Sequence, residues 1–331
     1  MQTYKLDWKY GTLEVQTTGC MIGPVFFKTA EGKVVQPFHI APWSEEQQKE
    51  ELSPIMKRLR GEWTCVPFGA ARKIDKLTPD WEAVKWEEYE DMPHGPSSSL
   101  EWTLAEQTKE KLVFTLEYPA THDIRKLTRT ITPDPEKAAI RFELQVEARR
   151  DTKLPIGLHP TFRLSHEPLK CKLQPSKFSF GITCPGDFEP GAYILEPNAL
   201  FASLSSVPAA DHSHLDLSRL PLQQNCENLV QLCGIDGSFE LVNEEDQYTM
   251  RLEWNKDQYP SCVLWMSNRG RSYYPWNSRN LCLGIEPVNA AFDFGNHVSL
   301  AENPIRKKGI PTAMEFKKDV VWKTEYSIGV Y

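Results

Sequence analysis

Several common signals are absent from this 331-residue chain, and each absence narrows what it can be. Its eight cysteines, at positions 20, 65, 171, 184, 226, 233, 262 and 282, form no CxxC pair, and several sit in apolar strand-like runs. They read as reduced core residues. There is no N-x-S/T glycosylation acceptor, and the amino-terminal MQTYKLDWKYGTLEV carries charges every few residues. That stretch reads as a strand and not as the apolar segment of a signal peptide, so the expected location is the cytoplasm. No apolar run is long enough to span a bilayer, so no membrane partner is expected. The net charge is −7 and no Lys/Arg-rich block stands out, which argues against nucleic acid. Glycine-rich phosphate loops and the GxSxG nucleophile elbow are missing as well. No Gly/Ser linker or composition shift divides the chain, and its 40% hydrophobic content is ample for a large core. The expectation is one domain over 1–331, as a monomer or homodimer.

What is present is mostly strand. In KAAIRFELQVEARR (137–150), Ile140, Phe142, Leu144 and Val146 alternate with Arg141, Glu143, Gln145 and Glu147, giving one core face and one wet face. Similar runs recur at LEWTLAE, KLVFTLEY, RKLTRTIT, GSFELVNE, YTMRLEWN and SCVLWMS, and turn residues such as TPDPEK and CPGDFEPG punctuate them. One helix is expected, from about Ser44 to Lys57, opened by a capping box from Ser44 to Gln47 and ended or kinked by Pro54. No internal period suggests a propeller. Many antiparallel strands, 25 prolines and little helix predict an all-β fold, a large β-sandwich or barrel.

Two short stretches place ionisable groups in matching frames. In LCLGIEP, Leu281, Leu283 and Ile285 share one face of a strand while Cys282, Gly284 and Glu286 share the other. In PIGLHP, Ile156 and Leu158 oppose Gly157 and His159. Each ionisable residue has a glycine as its same-face neighbour and a proline after it, Pro287 or Pro160, so pairing should loosen where the side chains project, as at the rim of a cleft. A histidine and a glutamate so placed could form an acid/base pair. Equally, Glu286 could pair with an arginine such as Arg279, and His159 could be a hydrogen-bonded structural residue. DHSHLD puts His212 and His214 on one side of an extended segment but reads as a solvated loop with no third metal ligand. NRGRSYYPWNSRN (268–280) mixes Arg269, Arg271 and Arg279 with Tyr273, Tyr274 and Trp276, a combination suited to the apolar faces and hydroxyl edges of a sugar. It could also be an exposed hairpin with cation–π contacts. Arg58 and Arg60 in RLRGEW, and His94 before Gly95, have ordinary readings as solvated charges and a loop histidine.

The order of these pieces carries more than any one of them. RG-x-x-x-x-x-PFG, then HG before an EWTL strand, then GLHP-x-F, then a W-x-x-x-x-GR-x-Y-x-PW segment leading into LGIEP, spans Arg60 to about Asp293. This order resembles the galactose mutarotase-like superfamily, and more narrowly its aldose 1-epimerase proteins. The resemblance implies an antiparallel β-supersandwich with a sugar in an open cleft, and α/β anomer exchange through ring opening, with no metal or organic cofactor. By the same resemblance Glu286 is the general base, His159 the general acid, and Arg60 and His94 bind the sugar. Trp276 joins them as a substrate-binding candidate. Where the family carries a sugar-binding aspartate this chain reads NCENLVQL, so Glu227 or Asp216 would serve. The sugar-phosphate branch has an arginine soon after its HG. Here Pro96, Ser97, Ser98 and Ser99 follow, which favours a neutral sugar despite candidate phosphate contacts at Arg58, Arg60, Arg72, Lys73, Arg269 and Arg271. Hexose-6-phosphate epimerase and a non-catalytic carbohydrate-binding protein are the alternatives.

Overall fold

The computed structural model describes residues 2–70, 74–82, 84 and 92–331. Strand far outweighs helix, 45% against 7%, so the fold is all-β. Its largest sheet has nine antiparallel strands, and Ala139–Ala148 lies inside it between Val321–Val330 and Ile124–Pro133. The alternation seen in the sequence is the alternation of burial: Ile140, Phe142, Leu144 and Val146 are buried while the residues between them reach solvent. An eight-stranded sheet runs in the order Leu200–Phe201, Phe180–Thr183, Cys226–Cys233, Ser261–Asn268, Leu281–Asn289, Ile156–Leu158 and Thr64–Cys65. Its remaining strand, Thr161–Arg163, also pairs with Leu281–Asn289. A four-stranded sheet formed by Thr3–Trp8, Gly11–Gln16, Ile22–Lys28 and Val34–Val35 completes the large β elements.

One apolar cluster joins Phe142 and Leu144 of the nine-stranded sheet to Leu264, Leu283 and Ile285 of the eight-stranded sheet. Each such side chain withdrawn from water contributes about 1.5–3 kcal/mol. A second cluster, with Trp63, Phe68, Val263, Trp265 and Trp276, covers the other face of the eight-stranded sheet. Both faces being covered, every residue of Ser261–Asn268 and Leu281–Asn289 is buried. The cysteines are all free and buried, as expected of core residues. Among the described residues no helix is long and apolar enough to cross a membrane.

A buried ion pair ties the site-bearing segment to the large sheet. Arg129 bonds Glu62, the Cys20 carbonyl at 2.8 Å and the Tyr326 hydroxyl at 3.1 Å, while Tyr326 donates to Glu62 at 2.7 Å. Both charges are fully buried, and removing either partner alone would strand the other, at about 3–5 kcal/mol.

The helix expected over Ser44 to Lys57 does not form. Only Pro54–Lys57 is helical, and residues 42–45 are turns. Tertiary contacts override the local capping signal. Trp43 packs edge-on against Trp276 with ring centres 4.7 Å apart and donates its indole N–H to the Met56 carbonyl at 2.8 Å. Glu45 is drawn to Arg58 and Arg60, and Glu46 to Arg279. Ser44 Oγ is buried and makes no capping bond.

Candidate active site

The strand Leu281–Asn289 pairs with two short strands that are consecutive in the chain. Gly157 lies opposite Val288 and Thr161 opposite Gly284. The register is the same on both sides of the break between them, which sets His159 directly across from Glu286. Ile285 donates its backbone N–H to the Pro160 carbonyl at 3.0 Å, whereas His159 donates its own away from this ladder, to the Trp63 carbonyl at 2.8 Å. His159 and Glu286 therefore occupy a non-hydrogen-bonded position, the kind in which Cα atoms approach to about 4.5 Å and side chains are closest. Pro160 and Pro287 have no N–H, so the rungs on either side of this position each lose a donor.

The consequence is that His159 Nε2 lies 3.4 Å from Glu286 Oε1. That separation is longer than a hydrogen bond, and Glu286 Oε1 and His159 Nδ1 have no hydrogen-bond partner among the described residues. Buried polar atoms are almost always paired, so both atoms are open to a partner from outside the described protein. The carboxylate folds back over Gly284, where an added Cβ would lie 2.3 Å from Oε1. At Gly157 the corresponding space is filled by Phe68, whose Cδ2 would lie 2.4 Å from an added Cβ. The pair sits at a buried floor and not at a rim, because Leu281–Asn289 continues unbroken against Ser261–Asn268 and only the ladder towards His159 is interrupted. Arg279 does not reach Glu286; it makes a two-pronged bond to Glu46 at 2.5 and 2.8 Å.

Aromatic rings fix the histidine. The indole of Trp63 stacks on the His159 ring at 4.1 Å and 19°, and Trp265 meets it edge-on at 6.2 Å. His94 stands perpendicular to it at 4.8 Å, with Phe68 packed 5.0 Å from His94. The HG motif has a backbone reason: His94 and Gly95 are both left-handed, and a Cβ on Gly95 would lie 2.5 Å from the Val66 carbonyl. Burial pushes His94 down to about 4. It also pushes His159 well below the usual histidine range, helped by the neighbouring His94. Glu286 moves the other way, well above the usual carboxylate range, through burial and then the charge of Asp293. Burial thus favours a carboxylic acid beside a neutral imidazole over the charged form of the pair. Both forms hold one proton between the two groups.

Above the pair opens a cavity of about 420 Å³ whose lining includes Trp63, His94, His159, Trp265, Trp276 and Glu286. Of the expected site residues, these walls hold His159, Glu286, His94 and Trp276. Arg60 is not among them. Its guanidinium is committed to the Arg58 and Gly23 carbonyls and to Glu45, because left-handed Gly61 presses this segment against Ile22. Glu227 lies one layer behind the wall, accepting from Ser267 Oγ at 2.7 Å and the Trp265 indole at 3.3 Å. Asp216 bonds Ser218 at an exposed turn, and His212 and His214 are exposed. Arg72 and Lys73 lie outside the described residues. Among the described arginines proposed for phosphate, Arg271 alone lines the cavity, together with Asp293 and Trp63, which the sequence reading passed over. Trp265, which heads the W-x-x-x-x-GR motif, pairs with Gly284, and a glycine on one strand makes room for a large residue on the next.

No protein-family model matches the chain, and no curated protein matches it significantly in sequence. Solved structures do match over its whole length. A galactose mutarotase-like protein from Lactobacillus casei superposes with a TM-score of 0.63 at 10% identity, covering 100% of both chains. The fold is galactose mutarotase-like. An aldose epimerase homologue from C. elegans gives a TM-score of 0.65 at 13% identity, covering 100% of this chain and 98% of its own. A galactose mutarotase related enzyme from Lactobacillus acidophilus gives 0.60 at 14%, covering 100% and 97%. The mutarotase-like supersandwich is thereby established as architecture, and it places the His159–Glu286 ladder on the eight-stranded sheet beneath the cavity.

Proposed function

We propose that this protein is an aldose 1-epimerase that interconverts the α and β anomers of a hexose. The observation that carries the reading is the cross-strand His159–Glu286 pair, 3.4 Å apart with unpartnered polar atoms, at the floor of an aromatic-walled cavity. Anomer exchange needs one group to take the proton of the anomeric hydroxyl and another to protonate the ring oxygen. In the ionic form of the pair, Glu286 accepts the O1 proton, the C1–O5 bond breaks as the C1=O1 bond forms, and His159 delivers its proton to O5. The open-chain sugar then lies beside a neutral imidazole and a carboxylic acid, the form that burial favours. Rotation about C1–C2 and the reverse transfers close the ring to the other anomer. The pair returns to its starting state with its proton count unchanged. Sugar hydroxyls entering the cavity supply the hydrogen bonds that a buried carboxylate lacks, which lowers the cost of the ionic form.

The test is Glu286→Gln, which keeps shape but cannot accept a proton. Anomer-resolved NMR on a panel of free hexoses should show exchange slowed by about 10²- to 10⁴-fold, with sugar binding retained. Near-normal exchange in a folded variant would remove Glu286 from the chemistry. A wild-type protein that binds hexoses without accelerating exchange would instead make it a carbohydrate-binding protein of this fold.

A further inference from the structure

Behind one wall of the cavity lies a charged assembly that the acid/base chemistry leaves unused. Arg271 bonds Glu189 through Nε at 2.8 Å and lies 3.8 Å from Glu227 through the same nitrogen. Its guanidinium carbon sits 4.6 Å over Trp276 and 5.6 Å from both Trp265 and Phe188. Three rings and two carboxylates therefore hold the guanidinium plane. No described residue takes either Nη group, and the side chain keeps 11% of its exposure as part of the cavity lining. The fixed fork is thus presented to whatever fills the cavity.

The supports are themselves anchored. Glu227 accepts from Ser267, Ser267 accepts from Asn280 at 2.9 Å, and the Asn280 carbonyl oxygen lies 2.9 Å from His39 Nε2. This chain is buried throughout. Such a connected buried network holds Glu227 beneath both Arg271 and Trp265. Trp265 is the shared wall, with His159 6.2 Å from its ring and Arg271 5.6 Å from it. A sugar whose anomeric carbon meets the His159–Glu286 pair would extend along that indole and bring its far edge to Arg271.

Resting on the epimerase reading, we propose that Arg271 is the specificity-determining residue, taking two adjacent hydroxyl oxygens on the edge of a neutral aldose remote from its anomeric carbon. One feature favours a neutral ligand at this residue. The guanidinium already faces the carboxylates of Glu189 and Glu227, 2.8 and 3.8 Å from its Nε. Its charge is thus answered within the protein, whereas hydroxyls accept from the fork without adding charge. Glu227 is a positioning residue in this scheme, acting through Arg271 and Trp265.

The test compares wild-type protein with Arg271→Lys on glucose, galactose, their 3-deoxy and 4-deoxy analogues and the 6-phosphates, measuring kcat and KM by anomer-resolved NMR. A hydrogen bond from a charged donor to a substrate hydroxyl is worth about 10- to 100-fold. The wild type should therefore lose about that factor in kcat/KM on at least one deoxy analogue, carried more by KM than by kcat. It should also prefer the free sugar to its 6-phosphate. In Arg271→Lys the ratio between parent and deoxy sugar should fall towards one. Equal handling of parent and deoxy sugars by the wild type overturns the proposal without any variant, and so covers the case in which the variant does not fold. An undiminished ratio in Arg271→Lys also overturns it. A 6-phosphate preference that Arg271→Lys abolishes would make Arg271 an anion anchor and equally end the neutral-ligand reading. If no sugar is exchanged, calorimetric binding of the same series decides: deoxy discrimination lost in Arg271→Lys sustains the Arg271 assignment while the catalytic reading falls.

Discussion

Replacing Gly284 with alanine tests the active-site geometry by moving one atom. Gly284 has no left-handed φ, so alanine imposes no backbone strain. The new Cβ would lie 2.3 Å from Glu286 Oε1, 3.2 Å from Glu286 Cδ and 3.2 Å from Trp265 Cβ. Ordinary contact begins near 3.4 Å, so the carboxylate oxygen must retreat by about 1 Å while the tryptophan need yield only a few tenths. The carboxylate is the far end of a side chain with free torsions, and it will move before the strand does. A misplacement of about 1 Å of a reacting group costs about 10²-fold in rate. The fold should tolerate the change, since alanine in a strand recovers about 0.5–1 kcal/mol of backbone entropy against the squeeze on Trp265. The expected result is a melting temperature close to wild type with anomer exchange reduced about 100-fold. If the effect passes through Glu286, adding Gly284→Ala to Glu286→Gln should cost nothing further, because the two changes act on one group. Wild-type exchange in a folded Gly284→Ala protein, or a full extra loss in the double variant, would refute the reasoning.

Two further outcomes follow from buried titrating groups. The pH profile of kcat/KM should be bell-shaped, with its acid limb well below the usual histidine value of 6.5, where the pair gains a second proton, and its alkaline limb well above the usual carboxylate value of 4.5, where it loses its only one. An acid limb centred at 6.5 would show that His159 is not buried against charge as described. Stability should also fall on acidification. His39 and His94 are each lowered from 6.5 to about 4, so the unfolded chain binds their protons first and stability present above pH 6.5 is lost as the pH drops towards 4. Each depression corresponds to about 3 kcal/mol at full protonation. Thermal melts of His39→Gln should show a shallower loss between pH 7 and pH 5 than wild type, and an equal slope would exclude His39 as a source.

How much of this could be read in the sequence depended on the range of the interaction concerned. Strand alternation is local, so Ile140 to Val146 and the faces of LCLGIEP were legible. The likeness of GLHP and GIEP was legible too, since each repeats Gly, one apolar residue, the ionisable residue and proline. That the two face each other required a register set by partners far apart in sequence. Arg60 and Arg271 both neighbour a glycine, yet one turns to Glu45 and the other to the cavity, a difference decided by Gly61 against Ile22 and by the Trp265 and Trp276 rings. The expected helix failed for the same reason: Glu46 is claimed by Arg279, more than two hundred residues away.

The His159–Glu286 spacing is fixed by one rung of a sheet, while the surrounding walls come largely from 51–59, irregular but for the single turn of helix Pro54–Lys57, and from irregular chain at 271–276. The two parts can therefore be inherited separately. Insertions or exchanges in those wall segments can redirect which ligand enters, because they do not alter strand register, whereas a one-residue slip in Ile156–Leu158 would turn the histidine to the opposite face and abolish the pair at a stroke. A lineage or a designer seeking new substrates on this frame has freedom in the walls and almost none in the floor.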